Sequence, residues 1–162
     1  MDENRFWSMI EAAWNSAGGH IEARQALVEG RDAEKHAYSL DEPLRSFIAA
    51  LTKQLADLAA EELLAFDRIL ERKLYEIDRA DIHARTDGSD DGFLYCRGFI
   101  VAIGRRYYEA VRDNPDLAVV DADCEPMCYV SWHFYHEQFG EMPPSGISRE
   151  TCSNLAGWPE DG

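Results

Sequence analysis

The 162-residue sequence predicts an all-α fold, a single compact domain of five or six helices over residues 1–140 followed by an irregular tail over residues 141–162. Three observations lead there. Apolar residues recur at spacings of three and four over most of the chain, the signature of amphipathic helices. Glycine and Asx-Pro breaks fall where those stripes stop. Only one short stretch, LAVVDADCEPM at residues 117–127, is arguable as a strand.

The first stripe is Phe6, Ile10 and Trp14, with Trp7 and Ala13 beside it. Asp2 stands where a cap is needed, and Gly18-Gly19 ends the helix, which spans residues 3–16. Residues 20–40 are weakly periodic, with one short helix expected around residues 21–29, stopped by Gly30. Asp41 is placed to cap the next helix, with Pro43 in its first turn, where a missing N–H costs little. Its stripe is Leu44, Phe47, Ile48, Leu51, Leu55 and Leu58. A second stripe, Leu63, Phe66, Ile69, Leu70, Leu74 and Ile77, has slipped phase at Ala59-Ala60. Two helices with a tight bend follow, the second led by Glu61 and Glu62 and trailed by Arg72 and Lys73, as the helix dipole favours.

DGSDDG, residues 87–92, opens the central unit, one long helix reaching to Asn114-Pro115. Leu94, Phe99, Ile103, Tyr107 and Val111 mark burial on much of its surface, and Gly98 and Gly104 inside it mark the close approach of neighbours, at a cost in helix propensity. The last helix is capped at Asp123 or Cys124, has Pro126 near its start, and ends at Gly140. Residues 141–162 are turn-rich.

Sixteen basic residues against 31 acidic ones give a net charge of -15. From Val111 onward ten acids face only Arg112 and Arg149, a net -8. Such a surface repels phosphate backbones and anionic lipid, so neither nucleic acid nor a membrane is an expected partner. A basic protein is the expected one, steered to the C-terminal part. The acidic start MDENRFW lacks an apolar signal core, and no window approaches about 18 uninterrupted apolar residues. A cytoplasmic protein with reduced Cys96, Cys124, Cys128 and Cys152 is the simplest expectation.

Three carboxylates and a hydroxyl in DGSDDG answer to three descriptions. A calcium loop of the EF-hand type takes Asp87, Ser89, Asp91 and Gly92 as its first half, but its twelfth position is Gly98, without the closing carboxylate. An acid/base pair needs carboxylates in different environments or one beside a histidine; Asp78, Asp81, His83, Asp90 and Asp91 supply the residue types. A helix cap needs only Ser89 or Asp90 as cap and acids at the positive end of the dipole. The cap is the first reading, with a binding role on top of it as the second.

The run SDDGFLYCRGFIVAIGRRYYEAVRDNPD resembles the signature of a bacterial family, domain of unknown function 4240. Ser-Asp-Asp-Gly-Phe, an aromatic two residues later, Arg-Gly, an apolar run, Gly-Arg and a final Asx-Pro carry the likeness. Arg5-Phe6-Trp7, Tyr129-Val130, Tyr135 and Glu137 are also similar. Cys96 stands where a second aromatic belongs, and residues 30–45 are longer than usual. The resemblance implies an all-α fold and supplies no catalytic residue.

Two constellations remain as candidates. Ser89, Asp90, Asp91, Tyr95 and Arg97 form a polar set at the start of the central helix. There Arg97 pairs with Glu71, Asp78 or another acid, either as a structural ion pair or as part of a pocket for a cationic or hydrogen-bond-donating group. Trp132 and His136, four apart in YVSWHFYHEQF, share one helix face beside acidic residues, a composition suited to a basic partner. Cys124, Cys128, His133 and His136 are zinc-ligand types at the wrong spacing, so no metal is assigned. No phosphate-binding or dinucleotide fingerprint appears, and no cofactor is expected. A binding or regulatory module leads; an enzyme or small-ligand binder at Asp90, Asp91, Tyr95 and Arg97 and a self-assembling structural domain are the alternatives.

Overall fold

The first helix, α1 (Glu3–Ser16), begins as its sequence dictates: Asp2 accepts the Arg5 N–H at 2.8 Å, and Phe6, Ile10, Ala13 and Trp14 are fully buried. In the computed structural model, which describes residues 1–86 and 89–159, α2 (Ile21–Glu29) and α3 (Ala33–Ser39) follow. Then come α4 (Asp41–Ala56), α5 (Ala60–Glu76), α6 (Ala80–His83), α7 (Asp90–Ile103), α8 (Arg105–Asp113) and α9 (Glu125–Phe139). Nine α-helices stand among the described residues, not five or six. The extra ones are the short α3 and α6, whose few residues leave no stripe to see, and α8, separated from α7 at Gly104. No described residue is in a strand: in the arguable strand region 117–127, Leu117 closes a 3-10 turn, Pro115–Leu117, and residues 125–127 open α9. No helix among the described residues is long and apolar enough to cross a membrane.

The core is one cluster built on α7, packed between α5, α8 and α9, with α1 and α4 laid alongside. Trp14 of α1 stacks on Phe47 of α4 at 4.7 Å between ring centroids. Leu44, Phe47, Leu51 and Leu55 of α4 and Leu63, Phe66, Leu70 and Leu74 of α5 are buried as their stripes require. Asp41 is the first residue of α4, and Leu40 holds the cap position.

Gly98 and Gly104 serve different purposes. A Cβ on Gly98 would lie 2.6 Å from both the Cys124 carbonyl oxygen and the Cys128 Sγ, so α7 meets α9 backbone to backbone there. Gly104 has φ +119, outside the range of L side chains, and turns α7 into α8 rather than continuing it. The helix end so created leaves carbonyls unpaired. Trp14 Nε1 donates to Ala102 at 2.7 Å and Arg24 Nε to Ile103 at 2.9 Å, which satisfies two of them.

Residues 141–159 return across α5, α7 and α9, with one 3-10 turn at Leu155–Gly157. Arg149 is buried within this stretch, and Trp158 packs tilted against His83 and edge-on against Phe93.

Candidate functional site

Two buried polar clusters lie beneath the returning tail. The first is centred on Asp78, fully buried just after α5. Its carboxylate accepts three hydrogen bonds from the tail, from the Cys152 N–H (3.2 Å), the Asn154 N–H (2.9 Å) and Trp158 Nε1 (2.9 Å). Arg97, fully buried on α7, completes it. The guanidinium donates to the carbonyls of Leu74 and Arg149, each at 2.9 Å, and to Thr151 Oγ1 at 3.3 Å, and lies 4.9 Å over the Phe93 ring. The sequence pairs Arg97 with an acid; among the described residues its partners are instead carbonyls and a hydroxyl. Burial pulls its pKa down, and the nearby Asp78 charge opposes that.

The second cluster is on α5. Asp67 and Glu71 stand one turn apart on the face toward α9. Asp67 Oδ1 accepts from Ser131 Oγ at 2.8 Å and Oδ2 from Arg149 Nη2 at 2.5 Å, while Arg149 Nη1 donates to the Cys128 carbonyl. Glu71, 6% exposed, is less well served. Its Oε1 is 3.9 Å from Arg149 Nε, its Oε2 is 3.6 Å from Arg68 Nη1, and Oε2 has no hydrogen-bond partner among the described residues. Arg68 reaches over it to donate to the Pro143 carbonyl. Above this cluster opens a cleft of about 570 Å³, walled by Tyr129, Trp132 and His133 of α9 and by residues 142–147, with Glu125 also on its lining.

The sequence-derived candidates fall in three places. Ser89 is the cap of α7, its Oγ accepting the Gly92 N–H at 3.0 Å. Asp90 and Asp91 are exposed in the first turn, and the Asp90 carbonyl is tied to Thr151 Oγ1 at 2.7 Å. Asp87 and Gly88, which the calcium reading needs, lie outside the described residues. Tyr95 is half-buried; burial raises its pKa, and the charges of Glu125 and Asp91 add to the shift. Trp132 and His136 are exposed on α9 and stacked, 5.4 Å apart with 5° between planes. Trp132 borders the cleft; Ser89, Asp90, Asp91 and Arg97 do not line it. Of the zinc-type residues, Cys124 and Cys128 are buried, whereas His133 and His136 are exposed. Burial pushes both thiols up to about 12.

The sequence does not single out Asp67 and Arg149 as site residues; Glu71 and Asp78 enter only as acids to pair with Arg97, and Asp78 also as an acid/base residue type. One signal pointed to the carboxylates: Asp67, Glu71 and Asp78 share the helical phase of Leu63, Leu70 and Leu74.

The arrangement places the signature run Ser89–Asp116 in α7, α8 and the turn after them, at the centre of the core. The family described as "Protein of unknown function (DUF4240)" matches residues 1–137. The chain belongs to this family. No curated protein and no solved structure matches it. In this DUF4240 chain the matched region ends before Arg149, Thr151 and Trp158. The partners of Asp78, and most of those of Arg97, therefore come from residues beyond the match.

Proposed function

We propose that this protein is a binding module for a basic partner, with the outer face of α9 and the neighbouring cleft as its contact surface. One observation carries this. Trp132 stands 40% exposed, stacked on His136, at the mouth of an open cleft whose floor is carboxylate and arginine. A half-exposed tryptophan beside a concave polar site is the composition of a contact centre. The surrounding surface is acidic through Glu125, Glu137 and Glu141, all exposed, and that charge favours encounter with a basic protein. Ser89, Asp90 and Asp91 fit this reading as the start of α7 and its tie to the tail.

Affinity capture from the source cell's extract tests it, with three baits: wild type, Asp90→Asn with Asp91→Asn, and Trp132→Ala with His136→Ala. A basic protein held by the first two, lost from the third, and released as salt rises is the expected result. Absence of any basic partner at low salt would sink the proposal. Retention by the third bait would move the surface away from α9.

A further inference from the structure

We infer that the cleft over Glu71 receives the guanidinium of an arginine side chain; this deepens the basic-partner reading and rests on it. The starting point is the buried Glu71 carboxylate, whose Oε2 lacks a hydrogen bond among the described residues. Buried polar atoms are almost always satisfied, and an unpaired carboxylate oxygen is among the costliest exceptions. The two neighbouring cations do not satisfy it. Arg149 is fixed by Asp67 and the Cys128 carbonyl, and its Nε stays 3.9 Å from Glu71. Arg68 stays 3.6 Å away, anchored to the Pro143 carbonyl. Both distances exceed hydrogen-bond length.

Arg68 is therefore an imperfect internal stand-in. Its side chain is 28% exposed, so it has a path to solvent when another guanidinium takes its place. The walls suit that replacement. Tyr129 and Trp132 both line the cleft, and aromatic rings are surfaces on which a planar guanidinium stacks. The lining carries Asp67, Glu71 and Glu125 against Arg68 and Arg149, so one negative charge is left to balance. A volume of about 570 Å³ accommodates a long side chain.

The test follows the Trp132 indole N–H of the ¹⁵N-labelled full chain by NMR at low salt. The probes are N-acetyl-arginine N-methylamide and, as the anionic counterpart, N-acetyl-glutamate N-methylamide. The arginine probe should give a saturable shift with half-saturation of about 1–10 mM, as befits one side chain without its partner. The glutamate probe should give none. Glu71→Gln, close in shape, should weaken binding about tenfold, the effect of losing one charge-assisted bond. Arg68→Met should tighten it, since the ligand then displaces nothing; this second variant covers the case in which Glu71→Gln perturbs folding. No saturable shift, an equal response to the glutamate probe, unchanged binding in folded Glu71→Gln, or loss of binding in Arg68→Met would each overturn the inference. If the arginine probe fails while a captured basic protein still depends on Trp132, only the arginine assignment falls. If neither binds, both proposals fall.

Discussion

Trp158 donates its indole N–H to Asp78 Oδ1 at 2.9 Å across 80 residues of sequence, and the ring lies against His83 and Phe93. Asp78 is the point at which the tail is fastened. Asp78→Asn should lower stability by about 3 kcal/mol, because one of three buried donors then meets an amide N–H₂ instead of an oxygen. Amide exchange over residues 150–158 should accelerate more than exchange in α7. Trp158→Phe keeps an aromatic ring but loses the indole N–H and its bond to Asp78, and should cost about 1 kcal/mol. Denaturant titration and hydrogen-exchange mass spectrometry check both; equal costs would show that the packing of the full indole, not the Asp78 carboxylate, holds the tail.

Gly98 and Gly104 should respond differently to alanine. Gly98→Ala drives a methyl to 2.6 Å from a carbonyl oxygen and a sulfur, so α7 and α9 must separate, at about 1–3 kcal/mol or more. Gly104→Ala meets the Arg24 and Glu11 side chains at 2.7 Å and is also forced to hold φ +119. The second penalty belongs to the backbone, on the order of 1–3 kcal/mol, and trimming Arg24 cannot remove it. Pairing Gly104→Ala with Arg24→Ala should therefore restore little stability.

The four thiols should divide one against three. Cys96, Cys124 and Cys128 are buried and Cys152 is exposed. A neutral thiol disulfide reagent should modify Cys152 alone in the native protein and all four in guanidinium chloride. Burial holds Cys124 and Cys128 at about 12, so raising the pH to 9 should speed the Cys152 reaction and leave those two silent. Modification of a second thiol without unfolding would contradict the packing of α7 on α9.

Stability should decline in acid. The Lys73 ammonium bonds Glu3 at 2.9 Å and lowers its pKa; the Arg79 guanidinium does the same for Asp81. A carboxyl depressed on folding stabilises the native state above its unfolded value and loses that contribution as pH falls through its folded value. The decline therefore begins below about 4.5, the ordinary glutamate value. Glu3→Gln should shift the urea midpoint slightly at pH 7 and not at all near pH 2, since Glu3 is half-exposed and screened. A constant difference at both pH values would locate the effect in packing.

Periodic apolar residues and capping chemistry made α1, α2, α4, α5 and α9 legible, because each signal is local. Asp2 and Ser89 were readable as caps for the same reason. Gly104 was not: a glycine in an apolar run looks alike whether it is helical or turned, and the deciding contacts come from Glu11 and Arg24, some 80 to 90 residues away. The polar clusters were hidden for a related reason. An aspartate such as Asp78 reads as solvated until the residues that cover it are known, and those lie 74 to 80 positions later. Arg97 stood out in the sequence, but its partners are two main-chain oxygens and a distant hydroxyl, which no composition announces.

The fastening of the tail also sets an order in time. A chain grows from its N-terminus, and helices begin to form as they emerge. Asp78 and Arg97 leave the ribosome long before residues 149–158, so the half-made protein holds an anion and a cation on surfaces meant to be dry. Residues 149–158 supply the donors to Asp78 and two of the acceptors for Arg97, so both charges reach their folded surroundings only once that stretch has been made.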